Sequence, residues 1–163
     1  MADKKFRNKI KRKKKQVLVK VKDLIKEAVA KKKKYTEALG RRKTSVARVR
    51  LYEVAKSTKE NEFLINGKSL DDFFGLEELR VKVREALNDI PEKYFVSIYV
   101  KGGGFNAQAE AARLGISRAL VKINEEHRSS LKSKGFLKRD PRSVERKKPG
   151  LKKSRKAPTW VKR

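Results

Sequence analysis

Few residue patterns in this 163-residue chain could do chemistry, and each can be tested against its spacing. Gly102-Gly103-Gly104-Phe105-Asn106-Ala107 fits the loose pattern G-x-G-x-x-G/A of dinucleotide binding, between a strand-like and a helix-like run. An acid stands about twenty positions on, as Glu125 or Glu126. A Rossmann site, however, puts that acid at the end of a second parallel strand. Here the helix-like run is followed by EEHRSSLKSKGFLKRD, which holds no apolar β run. A structural glycine turn is the better reading. Gly67-Lys68-Ser69 imitates the end of a P-loop, but Glu62 occupies the place of that motif's first glycine. His127, the only histidine, lies in a polar run and reads as a solvated surface residue. With no cysteine there is no disulfide framework, thiolate metal site or cysteine nucleophile. The expectation is a protein without catalytic residues, cofactor, metal or small-molecule substrate.

What remains is cationic. The chain holds 47 Lys and Arg against 19 Asp and Glu, net +28, with a pI near 10.5. Residues 1–34 carry 16 basic and 3 acidic side chains, and residues 138–163 carry 12 and 2. The middle, 35–137, has 19 and 14. A domain of ordinary composition thus bears two strongly cationic ends, which repel themselves and cannot bury enough apolar surface to fold alone. They need a polyanion. Arg41, Arg42 and Lys43, with Thr44 and Ser45, stand at the start of a strand-like run, where cations and hydroxyls can grip phosphates.

The elements that position these cations follow from periodicity. Residues 1–15 are almost pure charge and are expected to be mobile without a partner. Residues 17–30 form a short amphipathic helix pattern, read as docking on RNA or a neighbouring protein rather than on a membrane. Residues 35–39 form a short strand. Ala47, Val49 and Leu51 then alternate with Arg48, Arg50 and Tyr52, so one face joins a core and the other shows arginine. Residues 62–65 form another strand, ended by the tight-turn pair Asn66-Gly67. Ser69 and Asp72 read as a capping box for a short helix through Phe73 and Phe74. Leu76, Leu79, Val83 and Leu87 give a second amphipathic helix, ended near Pro91. Val96, Ile98 and Val100 share a strand face that runs into the glycines. Asn106 is the expected N-cap of the next helix, whose stripe is Ala112, Ile116, Ala119, Leu120 and Ile123. Ala109, Ala111 and Gly115 permit close packing on a sheet, while Arg113, Arg118 and Lys122 fall outside the stripe as a basic outer surface. A polar helix is expected near 125–134. The order predicts an α+β fold, a small sheet with helices packed on one face. No apolar stretch approaches the length of a membrane span, and a cytoplasmic location is expected.

From residue 138 onward, Pro141, Pro149, Gly150 and Pro158 oppose a continuous helix, leaving an extended basic tail. At ~3.3–3.6 Å per residue it could span roughly 85–95 Å. Trp160 could stack on a base or pack on protein. In this setting GRRKTSVARV at 40–49, ING at 65–67, VKGGG at 100–104, RLGISRAL at 113–120, LKRDPR at 137–142, ERKK at 145–148 and GLKKSRKAP at 150–158, with Lys162-Arg163, form a recognisable series. The chain resembles the ninth small-subunit ribosomal protein family of bacteria. The resemblance implies a fold like the second domain of the fifth small-subunit protein, with a left-handed β-α-β crossover. It implies ribosomal RNA contacts in the head of the small subunit, neighbouring head proteins as partners, and a tail tip near peptidyl-site transfer RNA.

The residues expected to bind ribosomal RNA are Arg41, Arg42, Lys43, Thr44, Arg48, Arg50, Lys101, Arg113 and Arg118 in the domain. In the tail they are Arg139, Arg142, Arg146, Lys147, Lys148, Lys152, Lys153, Arg155 and Lys156, and Lys162 and Arg163 are expected to touch transfer RNA. Pro149 stands where the family commonly has tyrosine, and Ala107 where it has glycine. A nucleoid-type DNA-binding protein would explain the charge equally well, but the matched motifs and the aperiodic tail argue against it.

Overall fold

A computed structural model describes residues 35–53 and 61–162. The expected N-terminal helix, the whole stretch 1–34 and Arg163 lie outside the described residues. Five strands form one mixed sheet in the order β1-β2-β5-β3-β4. These are β1 (Tyr35–Arg42), β2 (Ser45–Glu53), β3 (Glu62–Ile65), β4 (Lys68–Ser69) and β5 (Tyr94–Lys101). Helices α1 (Leu70–Phe73), α2 (Glu77–Arg84), α3 (Phe105–Ile123) and α4 (His127–Ser133) complete the chain up to the tail. β3 and β5 are parallel neighbours, so the chain between them is a β-α-β crossover through α1 and α2. The remaining pairings are antiparallel. The expected α+β architecture is the one observed.

Alternation decides the two sheet faces. Ala38, Val49, Ile98 and Ile65 lie in one row across four strands, with Leu51 and Val96 in the next, and all are buried beneath the helices. α3 presents Ala109, Ala112, Ile116, Ala119 and Leu120 to them. Contact between α3 and the β1-β2 pair is unusually close because glycine stands on both sides. A Cβ on Gly40 would lie 1.8 Å from the Ala111 carbonyl oxygen, and one on Gly115 would lie 2.6 Å from Val49 Cγ2.

The structure changes several local expectations. The strand expected at 35–39 runs on to Arg42, so Arg41 and Arg42 belong to β1 and the two-residue turn Lys43-Thr44 leads into β2. α3 is capped by the extended backbone of Gly104, not by Asn106, whose Oδ1 instead accepts from Lys82 Nζ at 3.2 Å. Gly102 and Gly103 turn the chain at positive φ, and Gly104 alone is extended, so the helix starts at Phe105. Asn66 and Gly67 both take positive φ, as the tight turn requires. The Asn66 side chain also brackets Val100, accepting from its N–H at 2.9 Å and donating to its carbonyl at 3.0 Å. Ser69 Oγ accepts from the Asp72 N–H at 3.2 Å, the N-cap half of the expected box. Leu76 is 65 % exposed and caps α2 rather than joining the core. α2 gives way to a single 3₁₀ turn at Glu85–Leu87, before Pro91. α4 is polar as expected, yet it contributes one buried side chain, Leu131.

Candidate RNA interface

The β1-β2 hairpin ends against the triglycine. A Cβ on Gly102 would come within 2.7 Å of the Thr44 carbonyl oxygen, and one on Gly103 within 3.0 Å of Ser45 Cβ. Gly102 and Gly103 also have φ of 75° and 67°, which side chains rarely adopt. These glycines therefore let β5 turn beneath the hairpin tip and hold it from below. On the tip Arg41, Lys43 and Thr44 are exposed, Lys43 at a φ of 50°.

Arg42 takes the other face. Its side chain is only 11 % exposed. Its Nε donates to Glu110 on α3 at 2.5 Å, one terminal nitrogen donates to the Arg142 carbonyl at 2.6 Å, and the other lies 3.0 Å from Asp140. Asp140 in turn receives the Arg142 guanidinium through two nitrogens at 2.8–3.1 Å and the Arg142 backbone N–H at 2.9 Å. Bidentate pairs of this kind fix direction as well as charge. The Arg142 hydrogen bonds, first through its side chain and then through its N–H, hold the Asp140 carboxyl well below the usual carboxylate range. Hairpin, α3 and the root of the tail are thus clamped at one point.

The sheet face away from the helices is open, and strand register arranges it in rows. Arg41, Val46 and Lys101 lie side by side at the hairpin end, with Leu39, Arg48 and Tyr99 in the next row. Glu37, Arg50 and Ser97 follow, and then Tyr35, Tyr52 and Phe95. The last three rings form a ladder, tilted against one another, with centroids 5.6 and 5.8 Å apart. Arg50 donates to Glu37 at 2.7 Å and lies over the Tyr35 ring at 4.9 Å; the hydrogen bond to Glu37 raises its pKa against the effect of burial. Arg48 is 3.5 Å from the same carboxylate. Tyr99, Leu39 and Val46 escaped the sequence reading as functional candidates, although period-two alternation carried outward along β1, β2 and β5 would have gathered them.

The cations expected on the outer surface of α3 each reach a protein partner, with Lys122 staying exposed. Arg113 donates to Glu85 at 2.6 Å and sits 4.5 Å over the Phe136 ring. Arg118 donates to the Leu39 carbonyl at 3.0 Å, and Lys122 to that of Glu37 at 3.0 Å. Arg118 and Lys122 thus fasten α3 to the β1 edge. His127 is not solvated either, since its side chain is largely covered and Nε2 lies 3.6 Å from Glu92.

Along the tail Arg139, Arg146, Lys147, Lys148, Lys152, Lys153, Lys156, Trp160 and Lys162 are exposed. Arg155 pairs with Glu145 through two nitrogens, one at 2.9 Å, and so closes a loop in the tail. Among the described residues no cluster of acidic, histidine or cysteine side chains could hold a metal ion, and no helix is long and apolar enough to cross a membrane. A basic hairpin thus stands on an α+β body, with a cationic tail clamped beside it. The family model described as Ribosomal protein S9/S16 matches residues 40–163, from the first glycine of that hairpin through the tail. The chain belongs to this family, and is a structural ribosomal protein of the small subunit.

Proposed function

We propose that this protein organises ribosomal RNA in the head of the small subunit, through its hairpin tip, open sheet face and tail, and that the tail tip touches peptidyl-site transfer RNA. The observation that carries the reading is a division among the cations. Arg42, Arg113 and Arg118 are spent on protein contacts, whereas Arg41, Lys43, Lys101 and most tail cations are exposed and make no ion pair with a described carboxylate. Exposed like charges without partners repel one another, and a phosphate backbone relieves that repulsion while releasing its counterions. Arg48 and Arg50 share Glu37 and would be directed by it toward the same strand of RNA. Arg139, Arg142, Arg146, Lys147, Lys148, Lys152, Lys153, Arg155 and Lys156 line the path from the clamp outward. Thr44 adds a hydroxyl at the tip, and Lys162 with Arg163 forms the outermost pair of cations. Backbone contacts of this kind are blind to sequence, which suits a tip that must accept every transfer RNA. The location follows as ribosomal, in the cytoplasm, with head proteins as neighbours.

Sedimentation of the tagged full chain tests this reading: it should run with small subunits and not with chromosomal DNA. Arg41→Ala with Lys43→Ala should weaken RNA binding and lower its salt slope by about one unit per lost phosphate contact. An unchanged slope would put the RNA surface elsewhere.

A further inference from the structure

The open sheet face is not built for phosphate alone. At its hairpin end Tyr99 is 62 % exposed, Leu39 42 % and Val46 39 %, and register brings the three into adjacent rows among Arg41, Arg48 and Lys101. Cations suffice to hold a backbone, and leaving three apolar side chains in water forgoes stabilisation of ~25 cal/mol per Å² that a partner could recover. Apolar side chains exposed together on one face, in diagonal register, mark an interaction site. β3 pairs with β5 only as far as Ile98, so no strand flanks Tyr99 on that side. On that side, among the described residues, the backbone around Tyr99 is met by Asn66 alone, and the ring stays 62 % exposed.

We infer that Tyr99 is a stacking platform for an unpaired nucleobase of ribosomal RNA, with Leu39 and Val46 against the base or its sugar and Arg41, Arg48 and Lys101 on the flanking phosphates. Charge selects this occupant. Four cations of the face, Arg50 included, outnumber its two carboxylates, Glu37 and, in the Phe95 row at the far end from the hairpin, Glu62, so the partner at the hairpin end is anionic as well as apolar. The chain's own residues 1–34, at 16 basic to 3 acidic side chains, are repelled by it. An unstacked nucleotide meets both demands. Aromatic side chains on a sheet take bases in this way, at about 1–3 kcal/mol per base. The inference rests on the RNA-binding reading above and adds the base to the backbone.

Base-specific methylation of small-subunit RNA bound to the full chain tests it, using wild type, Tyr99→Ala and Tyr99→Phe. Wild type and Tyr99→Phe should protect at least one unpaired base that Tyr99→Ala leaves reactive, with affinity about tenfold lower for Tyr99→Ala and the salt slope unchanged. Because Tyr99 is exposed, the variants should keep the wild-type far-ultraviolet dichroism. Identical base protection by Tyr99→Ala and wild type would overturn the platform while leaving backbone binding intact. Loss of contact to a neighbouring small-subunit protein, with unchanged base reactivity, would overturn it in favour of a protein interface. Absence of any RNA protection by wild type would overturn the underlying reading as well.

Discussion

Arg41 and Arg42 are neighbours in sequence with opposite environments. Arg41 points into solvent on the open face, and Arg42 is the centre of the clamp on Glu110, Asp140 and the Arg142 carbonyl. The alternation of β1 decides which is which, because Arg42 follows Ala38 and Gly40 on the buried side. That alternation is legible once β1 is known to reach Arg42. The partners are not, since Glu110 lies 68 and Arg142 100 residues away in sequence. Asp140 makes the clamp testable by pH. Its carboxyl is held below its ordinary value in the folded protein, chiefly by Arg142. Such a group stabilises the clamp fully above the ordinary value of ~3.9 and releases it only as pH falls through the lowered one. Carboxyl carbon NMR should therefore place the Asp140 midpoint well below ~3.9, with the tail root still ordered at that pH. Asp140→Ala should loosen residues 139–142 in backbone relaxation without unfolding the sheet. An ordinary midpoint, or an unaltered tail root in Asp140→Ala, would mean that the clamp does not act.

At the scale of elements, α3 is the part that the sequence describes best. Its stripe and its small residues were readable from a period of 3.6, whereas the first turn was misread because Asn106 resembles a cap and extended glycine gives no side-chain signal. The partner glycine could not be identified from sequence either, as Gly40 has meaning only once β1 lies under α3. Crowding there is severe. Inserting a methyl into a filled contact costs typically ~1–3 kcal/mol, and more where backbone must move. Gly40→Ala meets backbone of α3 at 1.8 Å and should destabilise by about 3 kcal/mol or more. Gly115→Ala meets the Val49 methyl and should cost less, about 1–3 kcal/mol. Gly75, with nothing within 4 Å of an added Cβ, is the control and should tolerate alanine nearly unchanged. Denaturant unfolding of the three variants would show this order, and equal midpoints for Gly40→Ala and Gly75→Ala would refute the close approach.

At the scale of the whole molecule, a body with modest net charge carries a tail of 12 basic and 2 acidic residues from 138 to 163. Composition alone separated these parts. It did not show that the tail's two acids, Asp140 and Glu145, are engaged by arginines of the tail, one fixing the root and one closing a loop. With Arg155 paired to Glu145, the ten residue steps between them no longer add their full extension of roughly 33–36 Å at ~3.3–3.6 Å per residue. The tail remains long enough to leave the domain, and its outer end keeps Trp160 and Lys162 exposed. The account then requires that this end meet transfer RNA on the assembled subunit. Since the chain contains no cysteine, Lys162→Cys provides a unique attachment point for a photoreactive label, introduced before reconstitution into small subunits. With transfer RNA bound at the peptidyl site, illumination should join the label to that transfer RNA, in the same position for transfer RNAs of different sequence. Cross-links confined to ribosomal RNA, unchanged by filling the peptidyl site, would contradict the account.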